Sequence, residues 1–359
     1  MSIRCAIVGA TGLAGQQFLA ALLRHPFLEV AALAASERSA GKTLREAVTL
    51  SSGLVGWYVD EAALHHFGGM KVVDAKNLDL AGVDLVFSAV ESEPALELEP
   101  KYAENVPVIS AASAFRYEAD VPLIIPAVNG DHAELIRWQK ERRNWKGFIV
   151  PIPNCTTTGM AIALAPLHQQ FGVEKVMMTS LQAVSGAGRS PGVIGLDIID
   201  NVIPHIKNEE EKVEKETKKI LGSLSGKGIE PAKVQVSATC TRVAVLEGHT
   251  ETVSVSLQKR CELEEVKAAM RAFGKGLNPG THPSAPKNWI TLHDDPFRPQ
   301  PRRDRDAEDG MTTSVGRLRK ETVLSDNGVK FVLVSHNTKM GAAQGAILVA
   351  EDLKVRGWL

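Results

Sequence analysis

The segment CAIVGATGLAGQQFLAALLRH (residues 5–25) joins a short apolar run to an amphipathic stretch through a glycine-rich turn. Three glycines at three-residue intervals give the spacing G-x-x-G-x-x-G. A turn between a strand and a helix can bring backbone N–H groups and a helix N-terminus onto a pyrophosphate. The segment therefore predicts a nucleotide-binding turn; the alternative is a tight strand–helix turn that binds nothing. The candidate cofactor contacts of this turn are Gly9, Thr11, Gly12, Leu13 and Gly15.

The first third of the chain continues the alternation of short apolar runs and helical stretches. Near-continuous apolar strands are typical of a parallel sheet that is covered on both faces. The pattern predicts an α/β Rossmann-type nucleotide-binding domain. Its further predicted strands are residues 29–35, 70–75, 83–90 and 106–112.

The end of the second predicted strand addresses the choice between NAD and NADP. An acidic side chain there accepts a hydrogen bond from a ribose 2′-hydroxyl, whereas arginine and hydroxyl groups accommodate a 2′-phosphate. The chain places Ser36, Arg38 and Ser39 at this point, with Lys42 nearby. Glu37 opposes the assignment unless it faces solvent. The stretch favours NADP as the cofactor.

After residue 154 the predicted strands become longer, which indicates a second domain of a different class. We expect an α+β catalytic and dimerisation domain with a mostly antiparallel sheet. The predicted domains are 1–153 with 338–359, and 154–337, because the apolar final helix (341–357) is expected to pack on the first domain. The predicted strands of the second domain are 174–185, 233–246, 249–258, 312–320 and 330–337, and its predicted helices are 196–221 and 262–273.

Composition excludes several classes of protein. A length of 359 residues favours two domains, and a net charge of −1 gives no global basis for binding nucleic acid or a membrane. No run reaches the roughly 18–20 apolar residues of a membrane span. The four cysteines show no CxxC pair, so neither a disulfide framework nor a metal site is expected. The start MSIRCAIVGATG lacks the apolar core of a signal peptide, which predicts a cytoplasmic protein.

The segment VPIPNCTTTGMAIALAPL (150–167) places Cys155 where an apolar helix begins. A helix N-terminus favours the thiolate form of a cysteine. The alternative is a buried cysteine that acts as a small hydrophobic residue. A nucleophilic thiol beside a dinucleotide domain would attack an activated carbonyl and pass through a thioester. Such a thiol needs a nearby base, and residue patterns alone do not choose between His249 and His336 at two strand ends.

Four segments occur in the order and approximate spacing found in aspartate-β-semialdehyde dehydrogenases. The resemblance is strongest to the archaeal and fungal branch of that family and extends from Gly9 to the C-terminal helix. The combination is far more specific than any single motif. The segments are IPNCTTTGMAIALAPL, LQAVSGAGRSPGV, NEEEKVEKETKKIL and RVAVLEGHTE.

The resemblance implies the NADPH-dependent reductive dephosphorylation of L-aspartyl 4-phosphate, a step in the biosynthesis of lysine, threonine, methionine and isoleucine. Cys155 would attack the acyl phosphate, and the resulting thioester would be reduced. His249 matches the acid/base residue of the family. Gln182 matches the glutamine that orients the intermediate, and Asn154 precedes the nucleophile and helps to set its geometry.

The resemblance also implies the ligands of the substrate. Arg242 matches the arginine that binds the α-carboxylate, and Arg116 matches an arginine assigned to phosphate. Glu210 and Lys212 take the ammonium group and the phosphate, with Glu209 as the alternative to Glu210. Without the resemblance, a structural ion pair is the favoured interpretation of Arg242.

Three residues match cofactor contacts on the nicotinamide side in the resemblance: Gly186, Gly188 and Asn337. The alternative for Asn337 is an ordinary turn residue. The family also implies a homodimer or homotetramer built by sheet-to-sheet contact, for which the strands at 174–185 and 233–258 are suitable. The sequence does not distinguish these two oligomeric states.

Three rival functions are weighed against this interpretation. Malonyl-CoA reductases are similar over the same length, but their substrate has no ammonium group to bind, so Asn154 and the Glu-Glu-x-Lys pattern within 207–219 favour aspartyl phosphate. N-acetyl-glutamyl-phosphate reductases normally have Gly-Cys-Tyr at the thiol instead of Asn-Cys-Thr. A non-catalytic NADP-sensing protein would not need Cys155, Gln182, Arg242 and His249 together.

Overall fold

A computed structural model of the chain describes residues 2–188, 195–226 and 228–359. The chain folds into two units. The first segment of unit 1 ends at Pro122, and unit 1 also contains Ala133–Ile152 and Val349–Leu359. Unit 2 contains Leu123–His132 and Pro153–Leu348.

Strands and helices alternate through the first 152 residues. All of these elements belong to unit 1 except a single turn of helix, α5, which lies in unit 2. In chain order the elements are β1 (Ile3–Val8), α1 (Leu13–Leu22), β2 (Leu28–Ala35), α2 (Leu44–Val48), α3 (Glu61–Phe67), β3 (Val72–Asp74), β4 (Leu85–Ser88), α4 (Ser92–Ala103), β5 (Val108–Ser110), α5 (Pro126–Asn129), α6 (Leu135–Arg143) and β6 (Ile149–Pro151).

Unit 1 is built on a six-stranded sheet with the order β3-β2-β1-β4-β5-β6. Every neighbouring pair in it is parallel. The prediction of a doubly wound parallel sheet is confirmed, and β6 is a strand that the sequence did not reveal. The strand order reverses between β1 and β4, and open α/β sheets bind their ligands at the carboxyl ends of the strands at such a point.

The rest of the chain alternates longer strands with helices. Most of these elements belong to unit 2, and the last helix continues into unit 1. They are α7 (Cys155–Phe171), β7 (Val173–Gln182), α8 (Gly195–Ile198), β8 (Val202–Ile203), α9 (Glu209–Ile220), β9 (Ser223–Ser225), β10 (Gly228–Glu230), β11 (Gln235–Val243), β12 (His249–Leu257), α10 (Leu263–Ala272), β13 (Ile290–His293), α11 (Pro301–Asp304), β14 (Thr313–Glu321), β15 (Gly328–Ser335) and α12 (Ala343–Val355).

The main sheet of unit 2 has the order β13-β14-β15-β12-β7-β11-β8 and is mixed. The pairs β7–β11 and β13–β14 are parallel, and the other described pairs are antiparallel. The expectation of a mostly antiparallel sheet therefore gives way to a mixed one, because β11 and β14 return by crossovers and not by hairpins. The stretch 196–221 is also not one helix, since β8 separates α8 from α9.

The units differ from the predicted domains mainly in two segments, and Pro153 also lies in unit 2. Residues 123–132 and 338–348 lie in unit 2. The reason is burial: Leu123 and Ile125 belong to the same hydrophobic core as α7, and so do Met340 and Leu348. The apolar final helix thus begins in unit 2 and ends in unit 1.

Helix α7 is the central helix of unit 2. Its side chains from Thr156 to Leu167 are all buried, which is the condition of a helix that is apolar on all sides. Its core neighbours come from β12, β15, α9 and α10. Within the described residues no helix is both long and apolar enough to span a membrane. The burial of α7 fixes the place at which its first residue, Cys155, emerges.

Glu251 is an unpaired acid in the core of unit 2. It is 0% exposed on β12, and both carboxylate oxygens lack a hydrogen-bond partner among the described residues. Burial raises the pKa of Glu251 well above its ordinary value. Burial therefore favours the protonated form of Glu251 in the folded protein, whereas the unfolded chain loses this proton above about pH 4.3.

We expect Glu251→Gln to stabilise unit 2 at neutral and alkaline pH. Because the folded state binds one proton more than the unfolded state, the wild type loses up to about 1.4 kcal/mol of stability per pH unit above the unfolded pKa. Glutamine removes this loss and keeps the shape. Thermal unfolding at about pH 5 and about pH 8 tests it: the variant's advantage grows with pH. An advantage that shrinks as the pH rises contradicts the assignment.

Candidate active site

The first turn of α7 is capped by the residue that precedes it. Asn154 Oδ1 accepts hydrogen bonds from the backbone N–H groups of Thr156 (2.9 Å) and Thr157 (3.2 Å). Asparagine is among the residues that cap helices best, since its side chain satisfies N–H groups that the helix leaves unpaired. The cap makes Cys155 the first residue of the helix, as the sequence predicted.

Cys155 faces His249. The distance from Cys155 Sγ to His249 Nε2 is 3.2 Å. Cys155 is partly exposed, and His249 is 0% exposed at the first position of β12. The other candidate, His336, instead lies near Glu247 (3.4 Å) and Asp306 (3.5 Å). Of the two histidines, His249 is therefore the one that the structure places beside Cys155, and its role as the base stays a prediction.

The tautomer of His249 follows from its second ring nitrogen. Nδ1 accepts a hydrogen bond from the backbone N–H of Ala183 at 3.1 Å, so Nδ1 carries no proton. Burial, together with the charges of Arg242 and His336, lowers the pKa of His249 to about 3. The ring is therefore neutral near pH 7 and carries its proton on Nε2. This N–H donates toward the Cys155 sulfur.

Arg242 lies on β11 and brings a buried positive charge to the same site. Its Nη1 donates to the carbonyl oxygen of Ala183 at 2.8 Å. Burial lowers the pKa of the Arg242 guanidinium, and the charges of Cys155 and Glu209 oppose that effect. Arg242 Nε has no hydrogen-bond partner within the described part of the chain. A buried donor of this kind suits an anionic ligand, because a charged group without a partner is costly to bury.

Gln182 is the register partner of Arg242 in the parallel pair β7–β11. Its side chain is 1% exposed, and Nε2 donates to Ser180 Oγ at 3.2 Å. The structure thus places Gln182 on the strand next to Arg242, directly before Ala183. The structure therefore gives the position of Gln182, whereas its role in orienting the intermediate stays a prediction.

The turn at 184–187 lies against the histidine and the arginine. A Cβ on Gly186 would lie 2.9 Å from Arg242 Nη1 and 3.2 Å from His249 Cε1, so only glycine fits there without displacing them. Asn337 holds this turn in place through its side-chain amide. Its Nδ2 donates to Ser185 Oγ (2.8 Å), and its Oδ1 accepts from the Gly248 N–H (2.9 Å).

Gly188 is exposed and has φ +66°, a conformation that favours glycine. Residues 189–193 of the motif LQAVSGAGRSPGV lie outside the described residues. The described part of that motif, with Gln182 and Gly186, is therefore the part that the structure places beside the thiol site.

The first turn of α9 supplies acidic and basic groups to the site. Glu209 accepts a hydrogen bond from Asn154 Nδ2 at 2.8 Å, and Lys212 Nζ lies 3.6 Å from Glu209. Glu210 points elsewhere, since it accepts the backbone N–H of Cys240 at 3.0 Å. Of the two glutamates that the sequence left open, Glu209 is the one joined to the residue before Cys155.

The sequence did not identify two further residues around the thiol. A Cβ on Gly341 would lie 2.7 Å from Cys155 Cβ. Glycine at this position therefore allows the chain after β15 to pack closely against the cysteine. Glu216 is 0% exposed and accepts the Asn154 N–H at 2.6 Å. Gly341 gave no signal beyond its residue type. The signal for Glu216 was its spacing of seven residues from Glu209, which places both on one face of a helix.

The glycine turn of unit 1 allows a close approach of the backbone segments between β1 and α1. Gly9 has φ +86°, and a Cβ there would lie 2.5 Å from the Ala89 carbonyl oxygen. A Cβ on Gly15 would lie 2.2 Å from the Gly9 carbonyl oxygen. Gly12 is the N-cap of α1, and it has no side chain that could accept a hydrogen bond. The backbone N–H groups at the start of α1, from Leu13 onward, therefore have no side-chain cap at this position. These residues fit the phosphates of a dinucleotide.

Gln16 holds the glycine turn in place and was not singled out from the sequence. Its side chain is 0% exposed. Nε2 donates to the carbonyl oxygens of Thr11 (3.2 Å) and Gly56 (2.9 Å), and Oε1 accepts the N–H of Tyr58 (3.0 Å). The turn is therefore tied to the segment 56–58 through one buried amide.

The polar residues predicted for the 2′-phosphate follow the end of β2. Ser36 and Arg38 are exposed and Ser39 is partly exposed. Glu37 is exposed as well, at the start of a single helical turn. The structure therefore gives the basic and hydroxyl side chains free access to solvent at the edge where dinucleotide folds bind the adenosine ribose.

Arg116 belongs to unit 1 and lies in the segment that follows β5. It is 5% exposed, and its Nη2 donates to the Ala111 carbonyl oxygen at 3.0 Å. Burial raises the pKa of Glu99 to about 7, against the lowering effects of the hydrogen bond from Ser110 and of the charge of Arg116. Arg116 is thus a buried cation close to a buried carboxyl group.

Comparison with protein families assigns both halves of the chain. A family model described as semialdehyde dehydrogenase, NAD binding domain, matches residues 4–136. A second model, described as semialdehyde dehydrogenase, dimerisation domain, matches residues 164–340. The two matches fall mainly on unit 1 and unit 2, respectively.

Curated relatives and solved structures agree with these matches. Aspartate-semialdehyde dehydrogenase of Methanothermobacter thermautotrophicus is 43% identical over 97% of this chain and 98% of its own length. The enzyme of that name from Candida albicans is 40% identical over 99% of both chains. A crystal structure of the Candida albicans enzyme with NADP superposes with a TM-score of 0.87 at 37% identity and covers 100% of both chains.

We expect iodoacetamide to modify Cys155 selectively in the folded protein. Cys5 and Cys240 are 0% exposed, and burial raises the pKa of each thiol to about 12. Cys261 is 3% exposed, and burial raises the pKa of its thiol also. Peptide mass spectrometry after brief alkylation measures the four sites separately. Labelling of Cys240 or Cys261 as fast as Cys155 would contradict the site described above.

Proposed function

This chain belongs to the aspartate-semialdehyde dehydrogenase family, and from that premise we propose that it reduces L-aspartyl 4-phosphate to L-aspartate 4-semialdehyde with NADPH and releases phosphate. The reaction serves amino-acid biosynthesis. The observation that carries the proposal is the 3.2 Å approach of Cys155 Sγ to His249 Nε2 at the capped start of α7. Each further role below is a proposal for a named residue.

Cys155 is the nucleophile. Its thiolate attacks the acyl carbon, and the bond from that carbon to the phosphate oxygen breaks. Phosphate leaves with the bonding electron pair and takes up a proton from solvent, and Cys155 holds the acyl group as a thioester. The N-terminus of α7 and the Nε2–H of His249 stabilise negative charge on the sulfur before attack and after departure of the product. Donation from Nε2 is the acid half of the acid/base role assigned to His249.

When bound, NADPH would supply the hydride that converts the thioester to the semialdehyde and frees Cys155. Unit 1 provides the residues that would hold this cofactor. The glycine turn and the N-terminus of α1 receive the pyrophosphate. Ser36 and Arg38 bind the 2′-phosphate that distinguishes NADP from NAD.

Arg242 binds the α-carboxylate of the substrate. Its unpartnered Nε supports this role, because a carboxylate accepts two parallel hydrogen bonds from one guanidinium. Glu209 binds the ammonium group, and we prefer it to Glu210 because Glu210 is engaged by the Cys240 N–H. Lys212 binds the phosphate from the same turn of α9, and Arg116 is a second candidate for phosphate.

The chain functions as a homo-oligomer, for which we propose a dimer formed through unit 2. The match to a dimerisation domain supports an oligomer. Met177 is 53% exposed and Leu181 36% exposed, although β7 lies inside the seven-stranded sheet. Alternation along the strand places both on the face opposite the helices, and a second sheet would cover them. A reducing compartment such as the cytoplasm suits a reaction that needs a free thiol.

The function is tested by supplying the purified protein with NADP, phosphate and L-aspartate 4-semialdehyde and following NADPH absorbance. We expect NADPH formation that depends on phosphate. Cys155→Ala abolishes it because no thioester forms, and the matched control Cys240→Ala retains it. NADP binding stays intact in both variants.

Three results would contradict this proposal. Oxidation of NADPH by malonyl-CoA, with no reaction of the semialdehyde, would assign the chain to the malonyl-CoA reductases. NADP binding without reduction by the semialdehyde would favour the non-catalytic sensor. Turnover in Cys155→Ala would exclude the thioester.

A further inference from the structure

Two carboxylates of helix α9 accept hydrogen bonds from Asn154, the residue that caps α7. Glu209 accepts the side-chain N–H of Asn154 at 2.8 Å, and Glu216 accepts the backbone N–H of Asn154 at 2.6 Å. The two glutamates are separated by seven residues, which is close to two helical turns, so both lie on one face of α9. Glu209 is 6% exposed and Glu216 is 0% exposed. Neither belongs to a solvated face.

Asn154 consequently has a partner for each of its polar groups. Its Oδ1 caps the N–H groups of residues 156–157, and its carbonyl oxygen accepts from the N–H and Oγ1 of Thr158 at 2.9 Å and 3.0 Å. The helix cap does not use the backbone N–H of Asn154, and Glu216 accepts a hydrogen bond from this group. The residue before the nucleophile is therefore held from both sides, by α7 and by α9.

Two other glutamates of α9 make a different contact. Glu210 and Glu214 accept the N–H groups of Cys240 (3.0 Å) and Ala238 (3.2 Å) on β11. Strand β8 pairs with β11 only from Arg242 onward, so these N–H groups lie on an open part of the strand's edge. These contacts dock α9 onto the sheet. Glu216 contacts α7 through Asn154.

Burying a carboxylate is costly unless its partners compensate for lost water. The side chain of Asn154 already caps α7, so the stability of the helix does not require the carboxylate of Glu216 at the Asn154 N–H. An oxygen acceptor at 2.6 Å does fix the peptide plane that leads into Cys155. That plane sets the direction of the first turn, from which Sγ meets His249 Nε2.

We propose that Glu216 is a positioning residue for Cys155: its carboxylate holds the Asn154 N–H and thereby aligns the thiol with His249. This inference rests on the proposed role of Cys155 as the nucleophile. Glu216 does not touch the substrate in this account and acts only through residue 154. Its reach matters more than its charge, because the contact is one hydrogen bond to a backbone group.

The experiment compares Glu216→Gln, Glu216→Asp and Glu216→Ala. Glutamine keeps an acceptor at the same distance, aspartate keeps the charge but is one methylene shorter, and alanine removes both. The measurement is the second-order rate of Cys155 alkylation by iodoacetamide between about pH 6 and pH 9. We expect the rate to fall about tenfold or more in the aspartate and alanine variants and to stay within about threefold of wild type with glutamine.

Glu214→Ala is the matched control, since it removes a carboxylate acceptor from the same helix without touching Asn154. Its alkylation rate should equal that of the wild type. Equal slowing in this control would show that docking of α9 is responsible and would overturn the proposal. Wild-type alkylation in the aspartate variant would also overturn it, even if Glu216→Ala fails to fold.

The test separates this inference from the proposed function because alkylation requires neither substrate nor cofactor. In active protein, the aspartate variant should lower kcat about as much as the alkylation rate and leave the KM for NADP unchanged. A wild-type protein without activity on the semialdehyde would contradict the function and leave the alkylation comparison valid. A loss of thermal stability with an unchanged alkylation profile would reduce Glu216 to a structural role and overturn the proposal.

Discussion

The start of helix α7 is the constraint on which the thiol site depends. The helix is buried along nearly its whole length, so packing against the sheet and against α9 and α10 leaves it no freedom to tilt. Its N-terminus must then be satisfied where it stands, and Asn154 does this with its side chain. Cys155 emerges at a point that the core has fixed. Glycine at 186 and 341 lets the surrounding chain approach.

The electrostatics of the site follow from the same burial. His249 is too deeply buried to be protonated, and the N–H of Ala183 settles which nitrogen carries its proton. The sulfur therefore meets a neutral donor, with the guanidinium of Arg242 as the nearby positive charge. All of these groups favour an anion at one place. They explain why a thiol is chemically distinct here, while burial raises the pKa of Cys5 and Cys240.

Local signals in the sequence predicted the parts of the structure that local physics determines. The strand, the glycine turn and the helix of residues 5–25 are neighbours in the chain, and so are Asn154 and Cys155 at the start of α7. The mixed order of the unit 2 sheet depends on pairings between strands far apart, which no short motif specifies. The many charged residues of α9 are typical of a solvated helix, yet Glu216 is buried. Tertiary contacts, which the sequence pattern does not show, decide which face of the helix is covered. The roles predicted for Gln182, Arg242 and Lys212 came from family resemblance and not from a local pattern.

The central claim is that Cys155 carries the acyl group as a thioester, and a single rapid-mixing measurement tests it directly. The protein is mixed with NADP and L-aspartate 4-semialdehyde in the absence of phosphate. The account predicts a burst of about one NADPH per subunit, followed by a stop, since the thioester has no phosphate to accept its acyl group. Adding phosphate should start steady turnover, and Cys155→Ser should show no burst. Steady NADPH formation without phosphate, or the same burst in Cys155→Ser, would contradict the account.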